Sequence, residues 1–464
     1  MSHPLTHPVG APGQARLREV PGPRAWPIIG DPAGLRAARD LIGFYDEYWR
    51  RYGDIFRVQF LHVAMVVLTH PDAIKHVLWT HRQNYVKGSA YAGARRVMGD
   101  GLLTLEGAAW KARRELEQPA FHRQAIERLT THMIDSGARF FDGLLARARG
   151  GALEIDAHRE MVKVTLDVVV RALFGQAMQG STVKYETLTE ALDLVSKGAN
   201  SIILPPWIPT PENRRLHRTL AELDRIVYGF IERARAEQLD DSLLSMILAA
   251  RDEHGRPLPD RAIRDEVVTL FIAGHETTAL TLTWMFTLLA GQPEVVKRMH
   301  EEVDRVVGAR EPTYADIAEL RYVRQVVDET LRLCPPAPMV ARNAVADDSI
   351  EGYRIRAGEM VIPFFWATHR HPDFWSDPLR FDPDRFDPVR FKRQHSWAYV
   401  PFSAGPRSCI GNMFSLVETV LLLAQLLRRF ELEIPACPEV KPIAIATARP
   451  SGPVRVLLRP RAPS

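Results

Sequence analysis

The sequence predicts a mainly α fold with a minor β region, built as a single large domain around a long central helix. Helical periodicity dominates from about Asp40 to Phe430. Strand-like runs are short and gather toward the two ends of that body. No repeat, low-complexity tract or long linker divides the 464 residues.

Taken in order, residues 1–20 mix Pro, Gly and polar residues without periodicity and are expected to form a flexible tail, leaving 21–464 as the domain. DLIGFYDEYWRRYG predicts a helix ending at Gly53, and IFRVQFLHVAMVVLTH a strand region after it. The longest predicted helix runs from about Asp260 to Leu289. At 1.5 Å per residue it spans about 45 Å. Apolar residues surround its middle, so it is expected to be buried, and Gly291 with Pro293 stops it. EGYRIRAGEMVIP predicts a hairpin turning at Ala357-Gly358, and RPSGPVRVLLRP a terminal strand.

Composition excludes several classes. Apolar residues are 46% and charged residues 25%, ordinary for a globular protein, and a net charge of +4 demands no nucleic acid. The three cysteines, Cys334, Cys409 and Cys437, make no disulfide framework and no CxxC pair, which fits a reducing cytoplasm. The N-terminus carries neither a signal peptide nor a run of about 18 apolar residues, so a soluble protein is expected. Arginine outnumbers lysine, which suits anions held in partly buried sites or reflects genome composition.

The stretch PFSAGPRSCIG, Pro401 to Gly411, raises the sharpest question. A metal-ligating cysteine needs its thiolate, favoured at a helix N-terminus, and IGNMFSLVETVLLLAQLLRRF after Cys409 predicts a strong helix. Gly405 and Gly411 would let backbone approach a flat cofactor. Arg407 would meet an anionic edge of it, and Phe402 would shield the sulfur. A buried cysteine acting as a small hydrophobe accounts for none of these neighbours. The run Phe402-Ser-Ala-Gly405-Pro-Arg407-Ser-Cys409-Ile-Gly411 resembles the haem-binding loop of the cytochrome P-450 family. The resemblance implies that family's fold with haem b buried beside the long helix, and Cys409 as the thiolate ligand of the iron.

Further stretches match the family. Glu329-Thr-Leu-Arg332 resembles its ExxR motif. Glu47/Arg50, Glu222/Arg225, Glu232/Arg235 and Glu302/Arg305 share that spacing, as any helix surface would. Position singles out Glu329/Arg332, because Phe381-Asp-Pro383-Asp-Arg385-Phe386 follows before Cys409 and resembles the family's FxPxRF segment. The resemblance implies a buried network of Glu329, Arg332 and Arg385. Trp110-Lys-Ala-Arg-Arg114 places Trp and Arg on one helix face and resembles the WxxxR motif, which implies that Trp110, Arg114, Arg342 and Arg407 hold the haem propionates. A core Trp beside a solvated Arg is the plainer reading of the same spacing.

Ala273-Gly274-His275-Glu276-Thr277-Thr278 lies in the long helix. A zinc-protease HExxH reading fails at Ala279. Threonine hydroxyls that bond the carbonyl one turn back, together with Gly274, would open room for a small ligand. An acid beside an alcohol supplies a proton relay, and the resemblance implies that Glu276 and Thr277 deliver protons during oxygen activation.

The implied activity is monooxygenation: one oxygen atom of O2 enters a hydrophobic substrate of the fatty acid, terpenoid or polyketide class. Electrons would come from NAD(P)H through a reductase and a separate ferredoxin or flavodoxin, since too little chain follows Cys409 for a reductase domain. Lys111, Arg113, Arg123, Arg390, Lys392 and Arg393 would form the basic docking patch. No membrane anchor is expected, and a cytoplasmic monomer is. Candidate pocket residues are the 85–103 loop, Asn200–Trp207, Phe271, Ala273, Met339 and Val340, each equally compatible with ordinary core. A haem-thiolate peroxygenase, an isomerase and a non-catalytic haem sensor are the competing readings.

Overall fold

The chain is seen in a computed structural model that describes residues 17–24, 26, 31, 40–60, 63–175, 210–237, 242–252, 254–436, 439–444 and 446–461. The Asn200–Trp207 pocket candidate, Cys437 and residues 1–16 of the expected tail lie outside these. Residues 17–20 do not behave as a tail: Arg18 N–H donates to the Gly352 carbonyl, Arg354 N–H donates to the Arg18 carbonyl, and Val20 is buried.

The principal helices are α1 (Leu41–Tyr52), α2 (Gly107–Glu117), α3 (Arg123–Ala148), α4 (Ala157–Phe174), α5 (Pro211–Ala236), α6 (Asp260–Leu289), α7 (Pro293–Val306), α8 (Arg321–Leu333) and α9 (Asn412–Arg429). The bounds of α1 follow its chemistry. The Asp40 carboxylate caps Gly43 N–H, and Gly53 ends the helix at φ 88°, where a side chain would be strained. The central helix α6 has the predicted ends and is buried along most of its length, packed on α4, α8 and α9. Its threonines bond carbonyls one turn back, as Thr277 does to Ala273 (2.9 Å) and Thr281 to Thr277 (3.0 Å), without breaking the helix.

Among the described residues the β region is four small sheets. Strands β1 (Ile55–Phe60) and β2 (Val63–Leu68) are an antiparallel pair where the sequence suggested one strand region. With β3 (Tyr85–Val86), β5 (Arg342–Ala344) and β8 (Met360–Pro363) they form the order β1-β2-β8-β5-β3, β2 and β8 running parallel. Strand β4 (Leu153–Asp156) joins β9 (Phe430–Glu433) and β12 (Arg455–Pro460) in the order β4-β12-β9. The remaining pairs are β6 (Asp348–Ile350) with β7 (Tyr353–Ile355), and β10 (Pro442–Ala444) with β11 (Ala448–Pro450).

The hairpin expected at Ala357-Gly358 forms one turn earlier. Glu351 and Gly352 both take positive φ, 50° and 79°, the two-residue turn that matches strand twist. At Gly358 the chain instead crosses to β5, where Gly358 N–H reaches the Ala344 carbonyl.

Candidate active site

The cysteine loop is held rigidly from outside. Cys409 N–H donates to the Phe402 carbonyl (2.9 Å), and the Phe402 ring packs on the main core. Gly405 sits at φ 74°, where a Cβ would lie 2.2 Å from the Leu78 carbonyl. Its missing side chain therefore seats the loop on residues 76–80 rather than admitting a cofactor. Gly411 is different: it precedes α9, and nothing lies closer than 4.0 Å to its absent Cβ. Cys409 is exposed although protein surrounds it closely. Burial pushes its thiol pKa up, against the opposing pull of the Gly411 N–H and the Arg114 guanidinium. A bound metal cation would favour the thiolate further.

The central helix α6 packs against α9, which begins just after the cysteine. In the buried middle of α6, Ala273 is exposed and Thr277, one turn on, partly so. Thr278 Oγ1 and Ser415 Oγ, 3.1 Å apart, pin α9 to α6 close to this open stripe. Gly274 does not widen it. A Cβ there would meet Val169 of α4 at 2.7 Å, so this glycine permits close helix packing. Glu276 points elsewhere too. Its carboxylate accepts from Arg449 Nε (2.6 Å) and Thr447 Oγ1 (2.8 Å), while the Thr277 hydroxyl donates to the Ala273 carbonyl. Burial raises the Glu276 pKa, and the Arg449 and Thr447 bonds outweigh it and hold the group below the usual carboxylate range. The acid and the alcohol are neighbours in sequence but are not bonded to each other here.

The neighbourhood of the cysteine loop is cationic. Arg407 donates to the Leu105 carbonyl (2.8 Å) and Glu106 (3.0 Å) and stacks 3.8 Å from the Trp110 ring centroid. Arg114 donates to the Ser408 carbonyl (3.0 Å), beside the cysteine, and to Gln118. Arg342 is buried and, among the described residues, donates only to the carbonyl of its own neighbour, Ala341. A fourth cation, Lys87, is buried among them with Nζ on the Leu103 carbonyl, and sequence reading missed it. Desolvation first, then Arg407 and Arg342, push its pKa down to about 7. Burial likewise lowers Arg407 to about 10. Glu106 is the carboxylate that bonds this set among the described residues, so four cations are under-compensated.

Behind the loop lies the opposite arrangement. Glu329 and Arg332 are fully buried and doubly bonded at 2.6 and 2.8 Å. Arg332 also donates to the carbonyls of His369, Pro378 and Arg380. Arg385 pairs with Glu329 at 3.5 Å and bonds the Asp377 carbonyl, while Asp382 N–H caps Glu329. Other ExxR spacings stay at the surface: Arg305 is 65% exposed beside Glu302, whose carboxylate instead caps α8 at Tyr322 and Val323. His369, also missed, ties this network to the loop. Its Nε2 accepts from Val400 N–H (3.0 Å), so its proton sits on Nδ1 and faces the Arg332 carbonyl (3.2 Å). Burial, with Arg370 and Arg332 nearby, lowers its pKa to about 3.

Of the pocket candidates, Phe271 is buried and lines a small apolar cavity with Phe174, Leu223, Val227 and Val267. Met339 and Val340 are partly buried against core clusters. In the expected basic patch Arg113 is not a surface group, since it is 10% exposed and paired with buried Glu117 and Glu266. Lys111, Arg123, Arg390, Lys392 and Arg393 are exposed.

An exposed thiol at the start of one helix, a partly opened central helix packed on it and a group of buried cations suit an anionic, metal-bearing cofactor. The sequence profile of the cytochrome P-450 family matches residues 20–458. The chain belongs to that family, whose members are oxidoreductases that incorporate oxygen and bind haem through a cysteine thiolate. It is 32% identical to cyclooctat-9-en-7-ol 5-monooxygenase of Streptomyces melanosporofaciens, over 89% of this chain and 91% of that one. It is 33% identical to pentalenene oxygenase of Streptomyces avermitilis, with the same coverage of both chains. The haem domain of cytochrome P-450DA superposes with a TM-score of 0.86 at 28% identity, covering 97% of this chain and 99% of that one. The residues present fit haem: an exposed cysteine, and beside it a group of under-compensated cations able to pair with anionic side arms. Among the described residues no helix is long and apolar enough to cross a membrane.

Proposed function

We propose that this chain is a haem-thiolate monooxygenase that inserts one oxygen atom of O2 into a hydrophobic substrate. The observation that carries the reading is an exposed Cys409 whose neighbour Ser408 is bonded by Arg114, with Arg407, Arg342 and Lys87 grouped beside that arginine, and an α6 stripe opened at Ala273 and Thr277. Haem bound there supplies the oxygen chemistry, with its reactivity set by the axial thiolate. Cys409 would be that ligand. Trp110, Arg114, Arg342, Arg407 and Lys87 would hold the propionates, and Phe402 and Gly411 would fix the loop around the sulfur. Glu329, Arg332 and Arg385 would act architecturally.

On the α6 side the Thr277 hydroxyl lies on the open stripe and can pass a proton by turning from the Ala273 carbonyl. Glu276 would serve as the acid behind it, releasing Arg449 to do so. Phe271, Ala273, Met339 and Val340 supply apolar surface toward a substrate, and relatives named for cyclooctat-9-en-7-ol and pentalenene favour the terpenoid class. The exposed cations Lys111, Arg123, Arg390, Lys392 and Arg393 support docking of an acidic ferredoxin or flavodoxin, reduced by its NAD(P)H-dependent reductase. Sparing cysteine use supports a cytoplasmic location.

A peroxide-driven reading draws on one observation, that Glu276 is bonded to Arg449 and not to Thr277. Turnover of a terpenoid substrate with a surrogate ferredoxin system and NADPH, compared with hydrogen peroxide alone, separates the two. The monooxygenase reading expects NADPH-dependent product and a drop of roughly 10–100-fold in Thr277→Ala. Product formed with peroxide only, and insensitive to Thr277→Ala, would overturn it.

A further inference from the structure

A cluster of metal-type donors lies outside the candidate active site. Residues 76–80 form a single π turn, closed by His81 N–H donating to the His76 carbonyl at 2.8 Å. In an α-helix, positions i and i+5 face away from each other by well over 90°. The wider π turn brings them into register, and the His76 and His81 rings stack at 3.9 Å. Asp348 of β6 reaches the same point from more than 260 residues away, its Oδ2 lying 2.8 Å from His76 Nε2. One donor atom from each of the three lies within 4.8 Å of the others.

We propose that His76, His81 and Asp348 bind a divalent transition cation of the zinc type. Two imidazoles and a carboxylate match that ion's preferences, leaving a fourth position for water. A tetrahedral ion with bonds of about 2.0–2.1 Å holds its donors roughly 3.3 Å apart. His81 is exposed and its ring makes no hydrogen bond among the described residues, so it is free to close the remaining distance. The carboxylate arrives oriented, because Tyr85 OH donates to Oδ2 at 2.7 Å and Ser349 N–H to Oδ1 at 2.7 Å. Such outer bonds hold ligands in place in metal sites. Binding through Nε2 would replace the His76–Asp348 hydrogen bond, the single proton of the neutral imidazole then sitting on Nδ1.

The position has a structural consequence. The same turn carries Leu78, whose carbonyl supports Gly405 of the cysteine loop. An ion would cross-link the β6–β7 hairpin to the turn on which that loop rests, and stabilise the folded chain by mass action.

The test is calorimetric titration of tag-free, chelator-treated holoenzyme with zinc chloride near pH 7.5. One ion per chain is expected. His81→Ala, at an exposed position, should keep the wild-type haem spectrum and bind zinc at least roughly 10-fold more weakly. Asp348→Asn should weaken binding similarly. Absence of stoichiometric binding, or binding that His81→Ala or Asp348→Asn leaves unchanged, would overturn the proposal.

Discussion

The two charge clusters on either side of the cysteine loop are built on opposite terms. Around Arg332 each of the five guanidinium N–H donors has an acceptor, two from Glu329 and three from backbone carbonyls. Around Lys87, Arg342 and Arg407 the donors outnumber their acceptors, and burial above all, with the neighbouring cations adding to it, pushes the pKa values of Lys87 and Arg407 down although Glu106 pulls the other way. A closed cluster stabilises a fold and asks for nothing more. An open one stores a demand for negative charge, which a dianionic cofactor would meet.

The largest expected effect breaks the closed cluster. Glu329→Ala leaves the Arg332 charge buried without its partner, at a cost of about 3–5 kcal/mol. Expression of Glu329→Ala should yield little haem-containing protein by absorbance, and a normal yield would remove the network's architectural role. The open cluster should respond differently. Arg407→Ala should weaken haem retention by about 1.5–3 kcal/mol, the range for hydrogen bonds to charged groups. Transfer of haem to an acceptor protein measures this, while the Tm of the haem-free chain should move far less. A fall in Tm with unchanged haem retention would place Arg407 with the closed cluster.

The smallest effect concerns the histidine between them. His369 has a folded pKa of about 3, against roughly 6.5 unfolded. Between those values the unfolded chain binds a proton that the folded chain does not, so stability is lost as pH falls below about 6.5. The loss from this group approaches about 1.4 kcal/mol per pH unit. Urea unfolding of wild type and His369→Gln from pH 7 to 5 isolates it as a difference in slope. Parallel slopes would mean that His369 is protonated in the folded state.

Much of this was legible from short stretches. The bounds of α6 follow from an apolar run and its Gly291/Pro293 stop, and the Cys409 loop carries its chemistry within a few residues. Glu329 and Arg332 were separable from identical spacings because the 381–386 segment follows them, and that segment does close on them. Other features had no local mark. Ala357-Gly358 and Glu351-Gly352 both look like turns, and only strand pairing selects the second as the hairpin. Gly274 reads as room for a ligand until Val169 of another helix is found against it.

Backbone conformation and residue chemistry are thus set by neighbours a few positions apart, where propensity, caps and hydrophobic period act directly. The charge balance of the site is set by residues brought together from across the chain. Glu106 meets Arg407, Arg449 meets Glu276, and Asp348 meets His76 across separations of 173 to 301 residues. Coulomb and desolvation energies depend on distance in space, and a linear sequence carries that distance only after it has folded.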